Sequence, residues 1–464
     1  MADAARRRVL TLVAVALANV LAVVDYTVVS VAVPDLLRMF PGTTLPQASW
    51  VINGYTVVFA ATLLPAGGLA DRYGAKRLFL GGIVCFTVAS LGCAFAPDIG
   101  WLVVARMAQA VGGGAMVTTT LSLALSVWPD RRSRVVGLLG MVGGVATAGA
   151  PSLGAALLAL GGWHLVFLIN VPIAAVLVVC AAFGLRTDPP AVRAGLPEIP
   201  GAVALAVSMG LLAFYLVQGA VWGWAAPASL GVVAVAVALA AFGTYRSWRH
   251  PRSALDLRLL AARPTALGNV AVVLLSVVQF TVVLCVALFL TDRWGYSEAL
   301  AGLALTPGPV ISAACSLLGG RIVARLGARP VAAIGCLVGA AGWGWFALGA
   351  GPEPAYLTRL LPALVAGFGG TSLAAVAVTT LAVSAIPKER FGMAGGLTMM
   401  SRSLGAAIGV AGLAGTLASP STRGFVVSGA GITACLLGML VVALATGRPA
   451  PVTAPAPAGD PVVP

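Results

Sequence analysis

The sequence predicts an all-α protein that crosses a membrane many times, and three observations lead to this fold class. Only 9% of the 464 residues are charged and 60% are hydrophobic, whereas a soluble domain carries about 25% charged residues. The apolar residues form runs of about 20, the length that a spanning helix needs. The basic residues behind the net charge of +14 lie mainly in alternate loops between these runs. Lipid is therefore the expected solvent, and a nucleic-acid partner is not expected.

Fourteen runs have the length and composition of a spanning helix. They cover residues 9–33, 47–69, 78–97, 101–127, 135–159, 163–185, 199–221, 226–245, 266–291, 298–320, 328–350, 356–385, 393–418 and 425–446. The first run follows three arginines, as in a signal peptide, but it continues to Val33. A signal peptide has an apolar region of roughly 7–15 residues, so we interpret this run as an uncleaved span.

The distribution of Lys and Arg indicates the orientation of these spans. Twenty-two of the 28 basic residues lie in one set of alternate loops, four lie in the opposite set, and Arg106 and Arg402 lie within spans. Basic loops stay on the cytoplasmic side. Both termini are therefore predicted to be cytoplasmic, which agrees with an even number of spans in the cytoplasmic membrane.

An internal repeat predicts two duplicated halves. The segment GGLADRYGAK, starting at Gly67, aligns with GRIVARLGAR, starting at Gly320, and Ala324 stands opposite Asp71. A second pair, PDRRSRVVG and PKERFGMAG, begins at Pro129 and Pro387. Repeats of this kind are typical of transporters.

The repeat and the span count together give the expected domain organisation. We predict a cytoplasmic N-terminus (1–8), an N-terminal six-helix bundle (9–185), two accessory helices (199–245), a cytoplasmic loop (246–265), a C-terminal six-helix bundle (266–446) and a disordered cytoplasmic tail (447–464).

Several motifs along the chain resemble those of the major facilitator superfamily, in its fourteen-span drug:proton antiporter branch. GGLADRYGAKR is similar to the family's loop between spans two and three, with Gly67, Asp71, Arg72, Gly74, Lys76 and Arg77 in place. The other matching segments are LAVVDYTVVSVAVPDL from Leu21, SWVINGYTV from Ser49, LVVARMAQAVGGG from Leu102, WHLVFLINVPI from Trp163, ALDLRLL from Ala254 and SRSLGAAIG from Ser401. The resemblance implies a major facilitator fold of two six-helix bundles with two extra central helices.

The fifth span departs from the antiporter motif of this branch. The motif has Gly-Pro followed by paired glycines, whereas this chain has Gly149, then Ala150-Pro151 and Gly154-Ala155. An alanine in place of glycine still permits close packing but stiffens the helix. The departure bears on the direction of antiport rather than on the fold.

Asp25 is the acidic residue that the sequence places well inside a span. A charge at this depth is costly and predicts a function, here reversible protonation, although a permanently paired Asp that holds helices together is the alternative. Asp25 lies roughly 13 Å, and Arg106 roughly 8–9 Å, from the outer ends of their spans at a rise of 1.5 Å per residue. The resemblance implies that spans one and four are neighbours, so we predict that Arg106 is the partner of Asp25 and modulates its charge. Gln109 and Gly113 share the helix face of Arg106.

The loop that contains Asp71, Arg72, Lys76 and Arg77 has two readings. The resemblance implies an ion-pair latch between the two bundles that breaks during alternating access. The simpler interpretation is that its basic residues determine topology.

Polar residues within spans are candidates for a substrate cavity: Tyr26, Trp50, Asn53, Tyr55, Gln109, Gln279 and Arg402. Trp50 is equally explained as an interfacial residue. Arg402 either attracts an anionic group of the substrate or forms a buried structural pair.

Enzyme, metal and cofactor motifs are not found in the sequence. Seven cysteines lie in apolar runs, His164 and His250 are far apart, and neither lysine is followed by Ser or Thr as a phosphate-binding loop requires. We therefore expect no metal, no cofactor and no enzyme activity. The expected partners are a small-molecule substrate, protons and membrane lipid, and the expected state is a monomer.

The function expected from the resemblance is proton-driven export of an organic drug or antibiotic. An exporter of a specific metabolite and a lipid translocase of the same fold remain alternatives. An intramembrane enzyme would need paired acids or histidines at depth, which the sequence lacks.

Overall fold

A computed structural model of the chain describes residues 2–128, 131–185, 199–249, 257–349, 351, 353–387, 390–416 and 422–446. These residues form helices and turns and include no β-strand. The predicted tail 447–464, the segment 186–198 and residues 250–256 of the predicted loop 246–265 lie outside the described residues.

Fifteen α-helices account for most of the described chain. They are α1 (Ala2–Met39), α2 (Leu45–Tyr73), α3 (Ala75–Ala94), α4 (Ile99–Val127), α5 (Arg132–Leu168), α6 (Asn170–Gly184), α7 (Ile199–Trp222), α8 (Pro227–Arg249), α9 (Arg263–Asp292), α10 (Glu298–Leu305), α11 (Pro307–Leu326), α12 (Ala328–Leu348), α13 (Leu361–Ser384), α14 (Phe391–Thr416) and α15 (Thr422–Ala445). Within the described residues, eleven helices are long and apolar enough to cross a membrane, or twelve if one bent pair is a single span. The count of fourteen spans therefore stays a prediction.

Helix boundaries differ from the predicted spans where local chemistry extends or interrupts a helix. Residues 2–8, predicted as a separate N-terminal segment, continue α1. Helix α5 runs through the gap between two predicted spans and breaks at Gly161 and Gly162, where the φ of Gly162 is +67°. A bend of 42° then separates Leu168 from α6, because Pro172 has no amide hydrogen for the carbonyl of Leu168.

The starts of two helices are explained by capping side chains. The Thr44 hydroxyl accepts a hydrogen bond from the Gln47 amide, and the Gln47 side chain accepts one from the Thr44 amide, so α2 begins with a capping box. The Asp98 carboxylate accepts a hydrogen bond from the Trp101 amide, at 2.8 Å, and starts α4.

The N-terminal half (α1–α6) and the C-terminal half (α9–α15) meet mainly at two crossings. Helix α2 packs against α14, and α5 packs against α11. Small residues allow the close approach of the helices. A Cβ atom at Gly67 would lie 2.8 Å from the carbonyl oxygen of Gly392, and a Cβ atom at Gly320 would lie 2.8 Å from the carbonyl oxygen of Ser133. The repeated glycines thus occupy equivalent crossings in the two halves.

Both crossings lie toward one end of the bundle. We call it the basic end, where the turns after α2, α4, α11 and α13 lie. Gly74 and Gly327 occupy two of these turns with φ of +93° and +89°, a region that glycine adopts readily. Their equivalent conformations agree with the internal repeat.

Helices α7 and α8, predicted as accessory, pack against each other outside the two halves. Helix α7 also contacts α2 and α14, and the ring of Phe214 lies 5.8 Å from that of Trp50. The accessory pair therefore lies beside the boundary between the halves. Many large apolar side chains remain exposed along the helices, Leu160 at 80% and Phe183 at 71% among them, as a surface in contact with lipid requires.

Candidate functional site

A buried ion pair links α1 to α4 inside the N-terminal half. Arg106 Nη1 lies 2.7 Å from Asp25 Oδ2, and neither side chain is exposed. The sequence placed these charges at similar depths, and the structure brings them into contact. Each charge offsets the desolvation cost of the other, so removing one leaves the other buried and unpaired.

Two amide side chains complete the hydrogen bonding of the carboxylate. Gln109 Nε2 donates to Asp25 Oδ1 at 2.9 Å and to Ser90 Oγ at 2.7 Å. Asn170 Nδ2 donates to the same two atoms, at 2.9 and 2.8 Å. Helices α1, α3, α4 and α6 therefore meet in one polar cluster, formed by Asp25, Ser90, Arg106, Gln109 and Asn170.

The guanidinium of Arg106 has further contacts. Arg106 Nη1 donates to Gln109 Oε1 at 2.5 Å, and Nε donates to the Val51 carbonyl oxygen at 3.4 Å. The Tyr55 ring centroid lies 4.2 Å from the guanidinium carbon, a cation–π distance. In the described part of the chain, Arg106 Nη2 and Asn170 Oδ1 have no hydrogen-bonding partner, so the cluster keeps one spare donor group and one spare acceptor.

The predicted cavity residues occupy different environments. Gln109 is fully buried in the polar cluster and Tyr55 is 3% exposed beside it. In this structure both residues surround the ion pair, and their place in a substrate cavity stays a prediction. Tyr26 is 40% exposed, with its ring 6.5 Å from that of Tyr55. Trp50 packs on the accessory helix α7. Asn53 and Gln279 are half-buried, and their place in a cavity stays a prediction.

Arg402 is a half-buried cation in α14. Among the described residues it has no acidic or hydrogen-bonding partner, in contrast to Arg106. It lies seven residues after Gly395, two helical turns along the same face, and Gly395 packs against the backbone of Thr118 in α4. Arg402 is therefore on the side of α14 that faces the N-terminal half.

Asp71 joins the two halves at the basic end. Its Oδ1 accepts a hydrogen bond from the Gly392 amide at 2.6 Å, and its Oδ2 accepts one from the Met393 amide at 2.9 Å. These amides belong to the first turn of α14, where backbone donors lack partners within the helix. In this structure Asp71 binds the positive end of a helix dipole, and the charge of Arg390 also acts on it. The ion-pair latch that opens during transport stays a prediction.

The other residues of the predicted latch loop have local contacts. Lys76 Nζ donates to the carbonyl oxygens of Ala182 and Leu185, at 3.1 and 2.8 Å, at the end of α6 in the same half. The Arg72 guanidinium lies 5.9 Å from the Tyr73 ring, and Arg77 is exposed. Asp71 and Gly67 are the members of this loop motif that reach α14.

Arg132 forms a second hydrogen-bonded side-chain contact between the halves, which the sequence analysis did not predict. Its Nη1 donates to the carbonyl oxygens of Val383, Ser384 and Ile386, at 2.6, 3.0 and 3.5 Å, at the C-terminus of α13. Its guanidinium also lies 5.0 Å from the Phe391 ring. The N-terminal half thus provides two caps: the carboxylate of Asp71 caps the start of α14, and the guanidinium of Arg132 caps the end of α13.

The antiporter motif of the fifth span lies within α5. A Cβ at Gly154 would lie 3.1 Å from Val28 of α1, whereas one at Gly149 would meet no atom within 4 Å. Gly154 therefore permits the packing of α5 on α1. The side chain of Pro151 lies outside the described residues.

Asn170 and Ser90 are members of the polar cluster that the sequence prediction did not include. Asn170 could have been singled out from the sequence because its side-chain amide lies within the apolar run FLINVP. Polar groups at bilayer depth are rare and tend to be functional. Ser90 could not be singled out in this way, because serine is common within spanning helices. In the described part of the chain, no group of His, Cys, Asp and Glu side chains has a geometry suited to a metal ion.

A two-halved helical bundle with exposed apolar flanks and a buried ion pair defines a multi-pass membrane protein of the transporter class. The chain belongs to the Major Facilitator Superfamily, whose model matches residues 15–410 and 269–464. It is a transporter and not an enzyme.

Curated relatives include antibiotic-resistance proteins. The chain is 29% identical over 421 residues to "Multidrug resistance protein Stp" of Mycobacterium tuberculosis, covering 89% of this chain and 76% of the relative. It is 31% identical over 414 residues to "Tetracenomycin C resistance and export protein" of Streptomyces glaucescens, covering 88% and 76%. Among solved structures, the human organic anion transporter MFSD10 (TETRAN) matches with a TM-score of 0.65 at 14% identity, covering 94% of this chain and 99% of that one, a likeness in fold alone.

Proposed function

We propose that this transporter exports small organic molecules of the drug or antibiotic class across the cytoplasmic membrane, in exchange for protons and by alternating access. The observation that carries the proposal is the buried pair of Asp25 and Arg106, 2.7 Å apart. The substrate class is supported by the two relatives described above, a multidrug resistance protein and an antibiotic resistance and export protein.

The ion pair provides a physical reason for coupling protonation to conformation. Protonation of Asp25 neutralises the carboxylate and leaves the Arg106 charge without its counter-ion in a buried site, which is strongly unfavourable. Proton binding is therefore compatible with a rearrangement that separates the two side chains or gives Arg106 another partner. A conformation-dependent proton affinity of this kind is what an antiporter requires.

The contacts at the basic end support alternating access about the two crossings. The α2–α14 and α5–α11 crossings are held by small residues, and the caps from Asp71 and Arg132 add polar contacts on either side of one turn. Opening a path from this end would break these contacts together. The N-terminal and C-terminal halves would then rock as units.

Arg402 suggests which substrate charges are accepted. The N-terminal half contributes a neutralised pair, whereas the C-terminal half contributes a cation that has no charged partner among the described residues. A cation at bilayer depth is stabilised by an opposite charge. We infer that substrates are neutral or carry an acidic group, and that dications are disfavoured.

The proposed orientation has both termini in the cytoplasm. The basic loops at one end support this orientation by the positive-inside rule. The small-molecule substrate and protons are then the moving partners, lipid surrounds the exposed apolar surface, and a monomer contains both halves that the cycle needs.

The test uses inverted vesicles that contain the protein and carry a pH gradient. A panel of lipophilic drugs and antibiotics is added to the wild type, to Asp25→Asn, and to the control Asp98→Asn, whose carboxylate caps α4 within one half. Drug-induced proton release in the wild type and the control, lost in Asp25→Asn, is expected. Release that survives in Asp25→Asn would remove Asp25 from the mechanism. Absence of release with every compound would contradict drug:proton antiport and favour a narrow metabolite exporter or a lipid translocase.

A further inference from the structure

We propose that Asn170 and Ser90 are positioning residues for Asp25, which act with Gln109 to hold the carboxylate in the geometry that pairs with Arg106. This inference rests on the proposed function, because it concerns the residue to which proton coupling is assigned. It adds two residues, from α6 and α3, to a mechanism otherwise confined to α1 and α4.

The geometry of the two amides is unusual because both bind the same two oxygen atoms. A side-chain amide nitrogen carries two hydrogens. In Gln109 and in Asn170, one hydrogen is directed to Asp25 Oδ1 and the other to Ser90 Oγ, over distances of 2.7 to 2.9 Å. Two nitrogen and two oxygen atoms therefore alternate around a closed ring. We call this ring the amide clamp.

The amide clamp leaves one carboxylate oxygen for the arginine. Oδ1 receives both amides, so Oδ2 remains for Arg106 Nη1 at 2.7 Å. Rotation of the carboxylate would break two hydrogen bonds and the ion pair at once. Hydrogen bonds to an ionised group are stronger than those between neutral groups, so the clamp stabilises the charged form of Asp25 in one orientation.

The position of Asn170 in the fold connects the clamp to a bend. Asn170 is the first residue of α6, directly after the 42° bend and two residues before Pro172. Helix α6 packs against α1, which carries Asp25. A change in the bend would move the Asn170 amide relative to the carboxylate, so the clamp provides a route from backbone movement to proton affinity.

The other titratable groups around the cluster come from four helices. They are Tyr26 of α1, Tyr55 of α2, Cys93 of α3 and Arg106 of α4. Free tyrosine, cysteine and arginine titrate above about pH 8. The variants of the test leave all four of these groups in place.

The experiment is infrared difference spectroscopy of the purified full-length protein in lipid. The stretching bands of the Asp25 carboxylate are assigned by their loss in Asp25→Asn. In Asn170→Leu these bands are expected to shift, because one hydrogen bond to the carboxylate is lost. Ser90→Ala, a smaller change that keeps the inference testable if Asn170→Leu does not fold, is expected to shift the bands in the same direction by less.

The matched control is Asn269→Leu, which removes an amide of the C-terminal half that bonds to Thr265 and Ser401. Its Asp25 bands are expected to stay at the wild-type position. Bands at equal positions in Asn170→Leu, Ser90→Ala and the wild type would overturn the clamp. Shifted bands together with proton release that survives in Asp25→Asn would support the clamp and refute the proposed proton coupling. Unshifted bands together with proton release that is lost in Asp25→Asn would overturn the clamp and support the proposed proton coupling.

Discussion

Arg132, in the first turn of α5, donates a hydrogen bond of 2.6 Å to the carbonyl oxygen of Val383 near the C-terminus of α13, in the opposite half. A cation at this end of a helix is favoured by the helix dipole and by carbonyls that lack partners within the helix. Asp71 places a negative charge at the start of α14, where the helix dipole is positive. The turn between α13 and α14 is therefore held from both sides by the N-terminal half.

Replacing Arg132 with glutamine is expected to loosen the basic end. A hydrogen bond to a charged group contributes about 1.5–3 kcal/mol, so opening of this end should become about tenfold more frequent. Hydrogen–deuterium exchange of peptides from α13 and α14 measures the change. The control is Arg131→Gln, whose side chain is exposed. Equal exchange in the two variants would show that the Arg132 contact does not hold the halves together.

Asp71→Asn is expected to weaken the same end by removing the charge but not the shape of the side chain. A carboxylate at a helix N-terminus contributes about 0.3–2 kcal/mol, so exchange at the start of α14 should rise several-fold. Asp98→Asn is the matched control, because Asp98 caps α4 within one half. A rise of the same size in both variants would indicate general destabilisation instead of a latch.

Ala324→Asp is expected to have the opposite effect. Ala324 is the repeat equivalent of Asp71, and Gly320, one turn earlier, lies against the start of α5. By the internal repeat, we expect a carboxylate at position 324 to bind amides in the first turn of α5 as Asp71 binds those of α14. Exchange at the start of α5 should fall, and transport should slow if opening limits it. Ala324→Asn lacks the charge and should give a smaller effect; the reverse order would contradict the repeat-based argument.

Gly113→Ala is expected to disturb the stacking of Tyr55 on Arg106. A Cβ at Gly113 would lie 2.8 Å from Tyr55 Oη, so the ring must move, and a cation–π contact contributes about 0.5–2 kcal/mol. The midpoint of thermal unfolding in detergent should fall. Gly143→Ala adds the same methyl group where no atom lies within 4 Å and should leave the midpoint equal or higher. A lower midpoint in both variants would point to glycine's backbone freedom instead.

Arg402→Gln is expected to separate acidic from neutral substrates. For transported compounds that carry a carboxylate, the apparent affinity should fall about tenfold, the order of a lost hydrogen bond between charged groups. The methyl esters of the same compounds should be unaffected. Arg359→Gln, which removes an arginine that bonds to the Gly349 carbonyl, serves as the control. Equal losses for acids and esters would assign Arg402 a structural role.

The helices and the Asp25–Arg106 pair could be predicted from the sequence. Hydropathy is a local property, so the apolar runs located the helices even where glycine or proline interrupted them. Depth along a span also follows from residue number, because the rise per residue is constant. Two opposite charges at similar depth in an apolar bundle have a strong energetic reason to meet.

The partners of those charges were decided by tertiary structure. Asp71 binds backbone amides of α14 and Arg132 binds backbone carbonyls of α13, and every residue possesses such groups, so the sequence carries no mark of them. The clamp on Asp25 depends on how four helices are rotated about their axes. Gln109 and Asn170 converge on one carboxylate, and on the Ser90 hydroxyl beside it, because packing between helices fixes those rotations. Hydropathy along each helix determines only that the helix forms.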